Sequence, residues 1–163
     1  MKTKAVMGGL VAGLAGVAVM TLAEKLEQVL TRRPNSYVPA RTLAHLVGLS
    51  HQPDQQRLGL NWTMHWGQGI VLGVARGAMA QYGIRGPMGS FLFMNLRLLN
   101  DQTLENATGA GDLPWYWPKD EQLIDLVHKG IYAFTTGAVA DRLVAGPPQP
   151  AEPRAGWREG RKA

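Results

Sequence analysis

From Ala5 to Ala23 the chain carries no charged residue. A helix rises 1.5 Å per residue, so such a run of about 19 residues nearly crosses a hydrocarbon layer about 30 Å thick. Lys2 and Lys4 precede it, and the positive-inside tendency then predicts a cytoplasmic N-terminus. The same stretch has the layout of a cleaved secretory signal, with a basic start, an apolar middle and the small Ala23 at its end. Against cleavage, the helical pattern continues through Glu24, Lys25, Leu26 and Val29 to Leu30. Gly9 and Gly13 form a Gly-x-x-x-Gly pair with Gly16 close to the same face, a surface suited to packing on another helix.

Three further segments extend this into an all-α fold, a four-helix membrane bundle with glycine-rich packing faces. The helices are expected at about 5–30, 54–82, 87–106 and 119–143, forming one membrane domain over 1–145 followed by a disordered basic tail over 146–163. In the second, Leu58 to Ala75 has no formal charge apart from the titratable His65, and Gly69, Gly73 and Gly77 recur every four residues. In water each glycine would weaken a helix by about 1 kcal/mol relative to alanine. In lipid the same run allows close backbone approach. The third begins apolar at Met88 to Met94 and turns polar at Arg97, Asp101 and Glu105; the fourth starts polar and becomes apolar from Gly130 to Ala140. Between the first two, a short amphipathic piece from Arg41 to Leu49 is expected on the membrane surface, with Leu43, Leu46 and Val47 on one side. The chain's mean hydropathy is slightly negative, low for a multi-pass protein, so a soluble helical domain on a single N-terminal anchor stands as the alternative.

Threading the four helices up and down brings the polar residues to one end. Glu24, His65, Asp101, Glu105, Asp125 and His128 form the expected polar cluster, rimmed by Trp62, Trp66, Trp115, Tyr116 and Trp117 in the manner of an interfacial aromatic belt. At about 100° per residue, Glu121, Asp125, His128, Tyr132 and Thr136 make a continuous polar stripe, while Asn61, His65, Gly69 and Arg76 share a sector of the second helix. Arg97, Asp101 and Glu105 stand as a ladder with i, i+4 spacing. The opposite end, with Gly8 to Gly16, Gly69 to Ala80, Phe91 to Met94 and Tyr132 to Ala140, reads as mostly apolar or small.

The chemistry this supports is narrow. Without cysteine there is no thiolate metal site and no thiol nucleophile. The net charge of +5 is spread along the chain, with Arg142, Arg154, Arg158, Arg161 and Lys162 in or near the tail, so a lipid bilayer is the expected partner and nucleic acid is not. No phosphate loop, dinucleotide fingerprint, catalytic triad or zinc-protease motif occurs; no cofactor is predicted, and the sequence leans away from an enzyme without deciding the point. Asp125-x-x-His128 places a carboxylate and an imidazole one turn apart, so His65, Glu105, Asp125 and His128 are candidate metal ligands. The same groups suit an ion, proton or small-solute pathway. A structural or interaction role in the membrane, as a homo-oligomer or with another membrane protein, is the leading expectation.

The opening Gly8-Gly9-Leu10-Val11-Ala12-Gly13-Leu14-Ala15-Gly16, followed by Glu24 on the continued helix, resembles the YagU-like family of small bacterial inner-membrane proteins. The resemblance implies a multi-pass inner-membrane protein, with both termini cytoplasmic under the threading above, and a role in stress or acid tolerance. It transfers no catalytic residue.

Overall fold

The computed structural model describes residues 1–49, 53–54 and 57–145. They form five α-helices: α1 (Thr3–Thr31), α2 (Val38–Leu46), α3 (Leu58–Gln81), α4 (Gly86–Ala107) and α5 (Lys119–Ala145), with a 3-10 turn at Pro114–Tyr116. No strand occurs among the described residues. Of these helices α1 alone is both long and apolar enough overall to cross a membrane. The expected tail, and His51, lie outside the described residues.

α1 is the hub, packing most extensively against α3 and α5, while α4 leans chiefly on α5. Glycine sets how closely α1 and α3 approach. A methyl group at Gly9 would lie 2.6 Å from the Gly73 carbonyl oxygen, and one at Gly13 would lie 2.6 Å from that of Gly69. Gly73 faces the backbone of Gly9 and Gly13, and Gly77 the backbone of Ala5. The predicted packing face is therefore real in its geometry, since no side chain fits between these two backbones. On its other flank α1 presents Gly16 to Thr136 and Tyr132, and Gly8 to Val144, all on α5.

Two boundaries depart from the sequence reading. The second long helix begins at Leu58 rather than near residue 54, because Asp54 is engaged elsewhere: its carboxylate pairs with Arg41 of α2, and its carbonyl accepts the Arg57 N–H at 2.9 Å. The amphipathic piece begins earlier, at Val38, where Pro39 suits a first turn, and helical geometry stops at Leu46 ahead of Gly48 with φ of 68°. It also packs with a different face. Ala40, Thr42 and Ala44 are buried, with α2 lying mainly against α3, while Leu46 and Val47 point outward.

The interior is unusual in what it contains. Its fully buried large side chains are Arg76, Tyr132, Phe93, Val17, Thr42 and Thr136, and Arg97, Asp101 and Lys129 are each at most 6% exposed. Outward lie Val11, Leu14 and Leu22 of α1, Val71 of α3, Phe91, Leu92 and Leu99 of α4, and Leu126, Val127 and Phe134 of α5. Many large apolar residues thus face away from the bundle, while four charged side chains lie inside it beside Phe93, Tyr132 and Val17.

The end expected to be mostly apolar or small also holds one ion pair. Arg76, wholly buried there, places Nη2 2.7 Å from Asp141 Oδ1, and Asp141 Oδ2 accepts the Gly86 N–H at 2.8 Å. This ties α3, α5 and the start of α4 together across a turn whose Gly83 and Gly86 have φ of 86° and 69°, values that favour glycine.

Candidate functional site

At the other end the helices diverge around a cavity of about 460 Å³. Glu24, His65, Asp101, Glu105, Asp125 and His128 all line it, so the six residues expected to cluster from four separate helices share one space. α2, the segment after α1 and the loop carrying Tyr116 and Trp117 complete the wall. Trp62 stacks on Trp66 with ring centroids 6.2 Å apart and meets His65 edge-on at 6.3 Å.

The floor is an ion-pair network. Arg97 Nε donates to Asp101 Oδ2 at 2.8 Å, as the ladder predicted, and the Arg97 guanidinium carbon stands 4.9 Å from the centre of the Tyr132 ring. Lys129 Nζ contacts Asp125 at 2.6 Å and Asp101 at 3.4 Å, and Gln68 Nε2 donates to Asp101 at 2.8 Å. Beneath it Tyr132 donates its hydroxyl to the Gly69 carbonyl at 2.6 Å. Lys129 is the residue the sequence reading missed. It falls next to the polar stripe rather than within it, and a lysine one turn after Asp125 is the available signal.

Glu105 does not continue the ladder. Its carboxylate makes no ion pair among the described residues, and it lies beside Gly111, where an added methyl would come within 3.1 Å of Oε2. Burial pushes its carboxyl up to about 7 against the pull of Lys129, with Asp101 and Asp125 adding to the rise. Arg33, by contrast, holds Glu27 below the usual carboxylate range through a pair at 2.9 Å.

Thr21 Oγ1 donates to the Val17 carbonyl at 2.7 Å and shares a hydrogen bond with His65 Nε2 at 2.9 Å. That couples α3 to α1 at the cavity wall.

The metal reading gains no support from this arrangement. Among the described residues no group of three or more His, Asp or Glu side chains is placed to hold a metal ion. Asp125 and Asp101 are occupied by Lys129 and Arg97, while His65 is bonded to Thr21.

Compared with family models, curated proteins and solved structures, the chain matches none.

Proposed function

We propose that this is an integral membrane protein whose four long helices cross the bilayer, and that its cavity is an aqueous vestibule receiving a small polar solute from one face of the membrane. The observation that carries this reading is the inverted burial, with Arg76, Arg97, Asp101 and Lys129 inside and Val71, Phe91, Leu92 and Phe134 outside. In water such an arrangement would expose apolar surface and desolvate charge at once. In lipid the outward apolar residues need no partners, and the interior charges are held in ion pairs rather than facing hydrocarbon. Composition averaged over a helix conceals this pattern, since the buried Arg76, Arg97, Asp101 and Lys129 lower the mean of α3, α4 and α5.

In this reading the hydrocarbon meets α4 from about Met88 to Leu99, a rise of only about 18 Å that requires the layer to thin around the bundle, and Glu105 projects beyond it. Lys2 and Lys4 favour a cytoplasmic N-terminus, with the vestibule then opening on the outer side. α1 acts as a retained helix, because its glycines are packed against both α3 and α5. The tight backbone contact below the vestibule and the Arg76–Asp141 pair at the far end favour a binding role over an open pore.

The absence of cysteine makes the test direct. Single cysteines at Val71 and Phe134 should resist a water-soluble maleimide in alkali-washed membranes, whereas Ser36→Cys at the cavity rim should label in intact cells and Arg85→Cys only after lysis. Labelling of Val71→Cys and Phe134→Cys as fast as Ser36→Cys would instead establish a soluble bundle.

A further inference from the structure

The charges around the cavity are not evenly matched. On its wall Arg33 is paired with Glu27, Arg41 with Asp54, Arg97 with Asp101, and Lys129 with Asp101 and Asp125. Lys25 hydrogen-bonds only neutral amide oxygens, those of Gln28 and Asn35, at 2.9 and 2.7 Å. Glu24, Glu105, Asp112 and Glu121 line the same wall with no ion pair among the described residues. Once the matched pairs are set aside, the cavity carries an excess of negative charge.

The second feature is aromatic. Trp62, Tyr116 and Trp117 also line the cavity, and Trp62 is 40% exposed although its ring is stacked on Trp66. An indole held in place by a neighbour and still accessible offers its electron-rich face to a cation. A poorly hydrated organic cation gains from both features, whereas a metal ion would need converging oxygen or nitrogen donors that the cavity does not assemble. The volume of about 460 Å³ admits an organic molecule and lies within the range of small-molecule sites.

We propose that the cavity binds a small organic ammonium ion, with Glu24 and Glu105 balancing its charge and Trp62 and Trp117 supplying ring faces. This rests on the vestibule reading and names its solute class. The matched floor of Arg97, Asp101, Lys129 and Asp125 is close to neutral, so the cation sits in the outer part of the cavity.

The probe is benzyltrimethylammonium, titrated calorimetrically into the full chain in a non-ionic detergent, with benzoate as the anionic control. Saturable binding of the ammonium and none of benzoate is expected. Glu24→Gln and Glu105→Gln should each weaken it at least fivefold at pH 8, and Trp62→Leu about fivefold, with helicity unchanged by circular dichroism. Lys25→Gln removes the unmatched cation and should tighten binding two- to fivefold, a gain that misfolding would not produce. Absence of ammonium binding by the folded wild-type chain, equal binding of benzoate, or unchanged affinity in both glutamate variants would overturn the proposal. Cysteine labelling separates the two readings: a labelled rim without ammonium binding removes only the solute class, whereas a bundle labelled on all sides removes the membrane reading.

Discussion

Lys129 of α5 and Asp101 of α4 approach to 3.4 Å in the floor of the cavity, each about 7% exposed, and Lys129 simultaneously holds Asp125 at 2.6 Å. One cation thus offsets two carboxylates drawn from two helices. Lys129→Met leaves Asp125 without its partner and Asp101 with Arg97 alone, and should destabilise the bundle by about 3 kcal/mol. The double variant Lys129→Met, Asp125→Leu should recover part of that loss, since it removes one of the stranded charges as well. Thermal melts of the two variants in the same detergent check this.

Glycines on α3 should differ sharply by face. At Gly73 an added methyl meets the backbone of α1, so Gly73→Ala forces the helices apart and should cost about 2 kcal/mol or more. At Gly67 nothing lies within 4 Å of the added carbon, and Gly67→Ala should be neutral or stabilise by up to about 1 kcal/mol. Equal effects at both positions in a denaturation series would contradict the close α1–α3 contact.

Glu105 predicts the direction of one pH dependence. Lys129 and Asp125 face it from α5, Arg97 and Asp101 from its own helix, and burial raises its carboxyl to about 7 from 4.5. The folded state therefore holds the proton more tightly than the unfolded state. Its contribution to stability is complete below pH about 4.5 and is lost as pH rises through about 7. Glu105→Gln should match wild type near pH 5 and exceed it by about 2 kcal/mol near pH 8.5, a figure lowered for partial solvent access.

Phe134 is 46% exposed on the outer side of α5. If that side meets hydrocarbon, Phe134→Lys should cost roughly 2.5 to 3.5 kcal/mol of insertion and reduce the membrane-bound fraction. On a soluble bundle the same change would be neutral or improve solubility, so pelleting after an alkaline wash distinguishes the two.

The helical layout was legible in the sequence because glycine spacing and polar stripes are periodic. Gly9 and Gly13 meeting Gly69 and Gly73, and six titratable residues sharing one cavity, follow from faces that can be drawn with 100° per residue. Features formed by pairing across helices were not legible. Arg76 was placed on the correct sector, but its partner Asp141 lies 65 positions away, and nothing local marks the two as one ion pair. Lys129 was passed over for a similar reason, since a lysine beside an apolar run reads as an ordinary helix boundary until Asp101 arrives from α4. The start of α3 was misplaced because Asp54 is drawn to Arg41, a contact no propensity encodes.

The central position of α1 imposes a schedule on biogenesis. Its glycine surfaces are completed by α3 and then by α5, the last described helix in the chain. At synthesis rates of about 5 to 20 residues per second, roughly 6 to 20 s pass between the emergence of α1 and that of α5. During that interval the Gly16 flank has no native partner. In the membrane reading that flank would meet lipid until α5 arrives, and a premature stop before α5 would leave the Gly16 flank without its native partner.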